Sequence, residues 1–183
     1  MERYKLMKED AVLLIIDIQD KLMTAMDQRE KVYKNTKLML SVAKEFDLPV
    51  VVTEQYPRGL GSTVPEIASE LPASCGMVDK KTFDACKSGL AETLAETGRK
   101  QVIVCGTETH VCVFQTTRSM LELGYKVFVV RDAVCSRTDE NYQSGLQLMT
   151  EMGAVVISAE GIAFDFLQAS GTPAFKAISA QLK

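Results

Sequence analysis

The sequence predicts one α/β domain spanning residues 1–183: a doubly wound, Rossmann-like sheet of six parallel strands with helices on both faces. Three observations predict it. Of six short runs rich in β-branched residues, most are apolar at nearly every position, as strands covered on both faces are. Longer segments of helical period alternate with those runs, which gives strand–helix units with right-handed crossovers. Gly98, Gly124 and Gly153 each stand between the end of a helical segment and the next strand, where helices take a C-terminal glycine.

The elements follow in order. The first strand is VLLIID, 12–17, and its last residue is an acid. A helix is predicted over 28–46, where KVYKNTK (31–37) supplies the wet face. PVVVT, 49–53, is the second strand, followed by an irregular stretch at 54–62 and a helix at 63–70. After the Pro- and Ser-containing stretch 71–76 comes the short strand MVD, 77–79, then a helix at 85–98. QVIVCG, 101–106, and KVFVV, 126–130, are the fourth and fifth strands, separated by a helix over 110–123. A helix at 139–152, the strand AVVIS at 154–158 and a helix at 160–169 complete the sheet. In the tail, Phe175, Ile178 and Leu182 have helical spacing, an apolar stripe for the chain's own domain or for a neighbour.

Composition narrows the function. A chain of 183 residues suits a single core. A formal net charge of −3 with scattered basic residues gives no footprint for nucleic acid or an anionic membrane. The first apolar run, Ala11 to Ile16, is too short for a signal peptide or a membrane span and ends in an acid. Five cysteines without a CxxC pair argue against a disulfide framework, a structural zinc site and a dithiol redox centre. A reducing, cytoplasmic setting is the expectation.

In an open parallel sheet, ligands sit beyond the carboxyl ends of the strands, where strand order reverses. The polar residues just after each strand are therefore the candidates. Asp17 reads either as a turn acid or as a site carboxylate. Cys112 reads either as a small buried apolar residue or as a nucleophile whose helix N-terminus favours the thiolate. Lys80 and Lys81 read either as solvated or as reaching inward, since two strand spacings are roughly 10 Å. His110, the single histidine, lies two residues from Cys112, too close in a helix to face it. An N-cap or supporting role fits it better than that of a general base.

DIQD (17–20), VTEQYPRGLGSTVPEI (52–67), DKKTFDA (79–85) and GTETHVCVFQTT (106–117) together resemble the isochorismatase-like cysteine hydrolase superfamily, in its order and spacing. The likeness is greatest to the isochorismatase domain-containing proteins. The resemblance implies Asp17, Lys80 and Cys112 as the catalytic triad, Phe83 selecting Lys80 over Lys81. It implies a cis peptide at Thr107–Glu108, an oxyanion hole of the Glu108 and Cys112 backbone N–H groups, and a homo-oligomer. Gln19, Tyr56, Phe83 and Phe114 are the expected pocket walls.

The expected activity is metal-independent hydrolysis of a small amide or ester through a covalent acyl-enzyme, without a cofactor. Nicotinamidases of that superfamily hold a metal with histidines after the second strand, and EQYPRGLGSTVPE (54–66) contains none. The alternatives are a scaffolding protein that kept the fold without turnover and, with less support, a nicotinamidase. A redox-sensing thiol and a nuclease have the least support: Cys105 lies inside a strand, poorly placed to resolve Cys112, and neither a basic groove nor a metal set is evident.

Overall fold

The computed structural model describes residues 1–182. One six-stranded parallel sheet forms the centre, in the order β3-β2-β1-β4-β5-β6. Its strands are β1 (Ala11–Ile16), β2 (Val50–Gln55), β3 (Gly76–Lys80), β4 (Gln101–Thr107), β5 (Lys126–Cys135) and β6 (Val155–Ile157). The helices are α1 (Asp20–Met23), α2 (Arg29–Glu45), α3 (Pro57–Leu60), α4 (Pro65–Ala68) and α5 (Leu90–Glu96). They continue as α6 (Phe114–Glu122), α7 (Asp139–Glu151), α8 (Ala159–Leu167) and α9 (Pro173–Ser179).

Two apolar layers sandwich the sheet. Alternation along β1 sends Leu13 and Ile15 to the layer shared with α2 and α8, and Val12, Leu14 and Ile16 to the layer shared with α5, α6 and α7. All six β1 residues are buried. Burying each large aliphatic side chain contributes about 1.5–3 kcal/mol, so this double coverage explains why the strand tolerates no polar residue before its end.

The chain starts from β1, steps outward to β2 and β3, then returns to β4 on the other side of β1. The reversal places a crevice between the carboxyl ends of β1 and β4. Those ends carry the residues immediately after Ile16 and Thr107.

Several boundaries differ from the sequence reading. β2 extends to Gln55, so Glu54 and Gln55 belong to a strand. β5 runs to Cys135, and its pairing with β4 shifts register between Val104 and Gly106. That irregularity lets the strand continue past the polar Arg131 and Asp132. The expected helix at 63–70 is one turn, and the one at 85–98 is divided by Gly89 at φ 98°. The 110–123 helix begins with a π-helical turn, Thr109–Val113. β6, at the sheet edge, is only half-buried. The tail helix packs on its own domain, with Ile178 buried and Phe175 edge-on to Phe164.

A buried charge cluster at the strand-order reversal

Asp17 is the first residue beyond β1, and the turn there is sharp, with φ 51°. Aspartate tolerates this left-handed region better than most residues. Its N–H donates to Thr53 O at 3.1 Å, which continues the β1–β2 ladder, and its carbonyl accepts from Thr107 Oγ1 at 2.7 Å. The backbone is thus held by both neighbouring strands. The side chain has no exposed surface. Thr53 Oγ1 donates to Oδ1 at 2.7 Å, and Lys80 Nζ lies 2.6 Å from Oδ2.

Lys80 ends β3 at the sheet edge and reaches across the end of β2 to that carboxylate. It too is buried. Its Nζ donates to Gln55 Oε1 at 2.6 Å and to Thr82 O at 3.4 Å. Lys81, the first residue beyond β3, is exposed.

Cys112 lies in the π-helical turn between β4 and α6, and is 6% exposed. The Thr107–Glu108 peptide preceding that turn is cis. The carbonyl of Glu108 accepts from Val111 N at 3.0 Å and Val113 N at 3.2 Å, which shapes the turn around Cys112. The Asp17 carboxylate and Lys80 ammonium both act electrostatically on the thiol. Oδ2 of Asp17 meets Lys80 Nζ at 2.6 Å as an ion pair, and the Cys112 thiol is a further neighbour of this carboxyl.

The electrostatics differ from the sequence expectation in one respect. The helix start was expected to favour the Cys112 thiolate. Instead burial pushes this thiol up to about 12; the Asp17 charge adds to the rise and Lys80 opposes it. Burial also raises the Asp17 carboxyl, against the lowering effects of Lys80, Thr53 and Cys112. Desolvation of a thiol in a closed cluster outweighs the dipole of a single helix end. The sulfur is therefore held toward its protonated form.

Gln19 is corrected as a pocket wall. It has no exposed surface, and its amide is consumed by the backbone: Nε2 donates to Gly61 O at 2.6 Å and Gln55 O at 3.1 Å, while Oε1 accepts from Gln55 N at 2.7 Å. It fixes the loop after β2 against the end of β1. Glu54 has the same kind of role, its Oε1 accepting from Thr63 N and Oγ1 at 2.6 and 2.7 Å. Tyr56 and Phe83 are half-exposed, and Phe114 is partly buried with the Arg118 guanidinium over its ring. His110 turns away from the sulfur, its Nδ1 3.0 Å from Ser136 Oγ.

Sequence reading missed Thr53 and Gln55, which hold the Asp17–Lys80 pair, and the hydrogen bond by which Thr107 holds the Asp17 backbone. Their one available signal was polarity at the last positions of otherwise apolar strands.

Comparison with known proteins gives a consistent placement. The isochorismatase domain model matches residues 11–161. A secreted isochorismatase effector, Isc1, of Phytophthora sojae is 38% identical across 98% of this chain and 87% of its own length. Among solved structures, a protein described as MAR1 ribonuclease from Caenorhabditis elegans superposes with a TM-score of 0.91 at 31% identity, covering 97% of this chain and 92% of that one. Two YcaC proteins also match. The octameric hydrolase of unknown specificity from Escherichia coli has a TM-score of 0.91 at 26% identity, covering 97% of this chain and 90% of its own. The Pseudomonas aeruginosa protein, solved with hexane-2,5-diol and covalent acrylamide, gives 0.90 at 27% identity, covering 97% and 91%.

Proposed function

This chain belongs to the isochorismatase family of hydrolases, and from that premise we propose that it cleaves a small amide or ester through Cys112, Asp17 and Lys80 without a metal. The observation that carries the reading is the fully buried Asp17–Lys80 pair, 2.6 Å apart and electrostatically coupled to the Cys112 thiol at the strand-order reversal. A buried ion pair is a poor stabilising device, because desolvation offsets its attraction. Its placement beside a cysteine is better explained by chemistry.

In the proposed reaction Asp17 accepts the Cys112 proton as sulfur attacks the carbonyl carbon. The S–C bond forms, and the carbonyl electrons move to an oxyanion held by the N–H groups of Glu108 and Cys112. Collapse expels the amine or alcohol, to which Asp17 returns the proton. Water, deprotonated by Asp17, then attacks the thioester, releasing the acid and restoring the thiol. Lys80 compensates the charge that develops on sulfur. A depression of about 510 Å³ lined by Tyr56, Pro57, Arg58, Asp79, Lys80 and Lys81 lies beside the Lys80 end of the cluster. The covalent acrylamide on the Pseudomonas aeruginosa neighbour supports an activated nucleophile in this fold. The ribonuclease activity ascribed to the Caenorhabditis elegans neighbour is not extended to this chain, whose net charge of −3 offers RNA no basic footprint.

The test is a panel of small amides and esters together with acrylamide labelling read by intact mass. One equivalent is expected on Cys112, with Cys112→Ala folded, unlabelled at that position and inactive. Wild-type turnover by Cys112→Ala would overturn the proposal.

A further inference from the structure

The turn that carries Cys112 is gripped from behind by one continuous stretch, Ser136 to Gly145. Three contacts make the grip. Arg137 donates from its backbone N, at 3.2 Å, and its Nε, at 3.0 Å, to the same Oε2 of Glu108. Ser136 Oγ meets His110 Nδ1 at 3.0 Å. Gly145, in the middle of α7, lies against the backbone of the turn itself. A Cβ there would stand 2.9 Å from Thr109 C and O and 3.0 Å from His110 Cα.

The glycine is the informative member. Glycine in a helix interior is less favourable than alanine, so its presence in Asp139–Glu151 has a packing reason. Here the neighbours are backbone atoms, which cannot rotate away as a side chain would. An added methyl must push α7 and the turn apart by several tenths of an ångström to reach ordinary contact. The turn holds the sulfur and the N–H groups assigned to the oxyanion, and misplacing reacting groups by about 1 Å can cost on the order of 10²-fold.

We infer that Gly145, together with the Arg137–Glu108 and Ser136–His110 contacts, sets the position of the nucleophile turn relative to Asp17 and Lys80, making 136–145 a positioning element. This rests on Cys112 being the reactive thiol. The grip acts only through the placement of the turn, since none of its three side-chain or backbone contacts reaches the sulfur.

The experiment measures iodoacetamide alkylation of Cys112 against pH, by peptide mass spectrometry, with urea unfolding run in parallel. Wild-type, Gly145→Ala, Arg137→Gln and Ser136→Ala proteins are compared. Gly145→Ala is expected to fold with an unfolding midpoint at or below wild type, the helix-propensity gain offsetting part of the clash, and to alkylate at least ten-fold more slowly near pH 8. Arg137→Gln, a change at an exposed side chain, is expected to slow alkylation about three-fold or more at unchanged stability, and Ser136→Ala to act in the same direction. Should Gly145→Ala fail to fold, the other two variants decide. Wild-type alkylation profiles in the folded variants would overturn the inference. Failure of the wild-type protein to alkylate at Cys112 would instead overturn the nucleophile assignment beneath it, so the two failures are distinguishable.

Discussion

Asp17 and Lys80 form an ion pair with no solvent exposure on either side chain, and each is costly to keep without the other. Removing one partner from a buried pair leaves an uncompensated charge, at about 3–5 kcal/mol. Asp17→Asn and Lys80→Met are each expected to lose stability on that scale, and the double variant to lose much less than the sum; urea unfolding of the four proteins checks this. Asparagine is the suitable probe because it tolerates the left-handed backbone at position 17. The same pair sets the pH behaviour of the thiol. With Cys112 pushed up to about 12, its alkylation rate is expected to climb steadily through neutral and mildly alkaline pH. Lys80→Met removes a cation that favours the thiolate and should move the profile further up. Asp17→Asn removes a neighbouring anion and should move it down even as hydrolysis collapses, commonly by 10²–10⁴-fold for a lost general base. Identical profiles for the three proteins would disconnect Asp17 and Lys80 from Cys112.

At the scale of elements, the decisive contact is between β1 and β4. Ile16 pairs with Gly106, and a Cβ at Gly106 would lie 2.0 Å from Ile16 O. Gly106 also has φ 133°, a conformation that side chains disfavour. Gly106→Ala is therefore expected to split the sheet where Asp17 and the Cys112 turn meet, with loss of soluble folded protein or of Cys112 alkylation. Normal circular dichroism together with wild-type alkylation would contradict it. α7, whose Thr138 Oγ1 accepts from Asn141 N at 3.3 Å, starts with an ordinary N-cap. Thr138→Ala should cost about 1 kcal/mol by denaturant titration, typical of a lost cap.

For the whole molecule, five thiols shape the alkaline limb of stability, the fully buried Cys105 raised furthest by desolvation. Burial leads the rise in each of the other four as well: Cys75 to about 11 and Cys86, Cys112 and Cys135 to about 12, against 9.0 for an unperturbed thiol. A thiol raised in the folded state keeps its proton there while the unfolded chain ionises. The stability it contributes is complete below pH 9 and is lost as pH rises toward 11–12. Unfolding midpoints measured from pH 7 to 11 should fall, and less steeply in a protein with Cys75 and Cys86 replaced by serine. Assembly is the second property at this scale. The Escherichia coli neighbour is octameric, and Tyr56, Met77 and Phe83 are half-exposed around the β3 edge of this chain. A homo-oligomer is expected by light scattering at micromolar concentration, and a monomeric mass would refute it. Among the described residues no helix is long and apolar enough to cross a membrane, and no three His, Cys, Asp or Glu side chains gather as a metal-binding group. Elemental analysis is expected to find no stoichiometric zinc, iron or manganese, and chelators to leave activity unchanged.

Sequence by itself determined the six strands, the two-sided cover of the sheet and the carboxyl-end positions of Asp17, Lys80 and Cys112. Those features follow from local periodicity: an apolar run buried on both faces needs no knowledge of its partners, and a polar residue at its end marks where the sheet meets solvent or a site. Element ends were less legible. β5 continues beyond Val130 only because pairing with β4 shifts register, and the helix at 85–98 divides at Gly89. Only the tertiary structure decided that Gln19 is a strut, since both ends of its amide are taken by backbone 36 and 42 positions away. It alone decided that Cys112 is held toward its protonated form, because desolvation depends on everything packed around the sulfur, whereas the helix start is visible from neighbours in sequence. Gly145 is the clearest case. As sequence it is a weak spot in a helix; as structure it is the place where α7 comes within van der Waals range of the turn that holds Cys112, a distance set by two elements folding against each other.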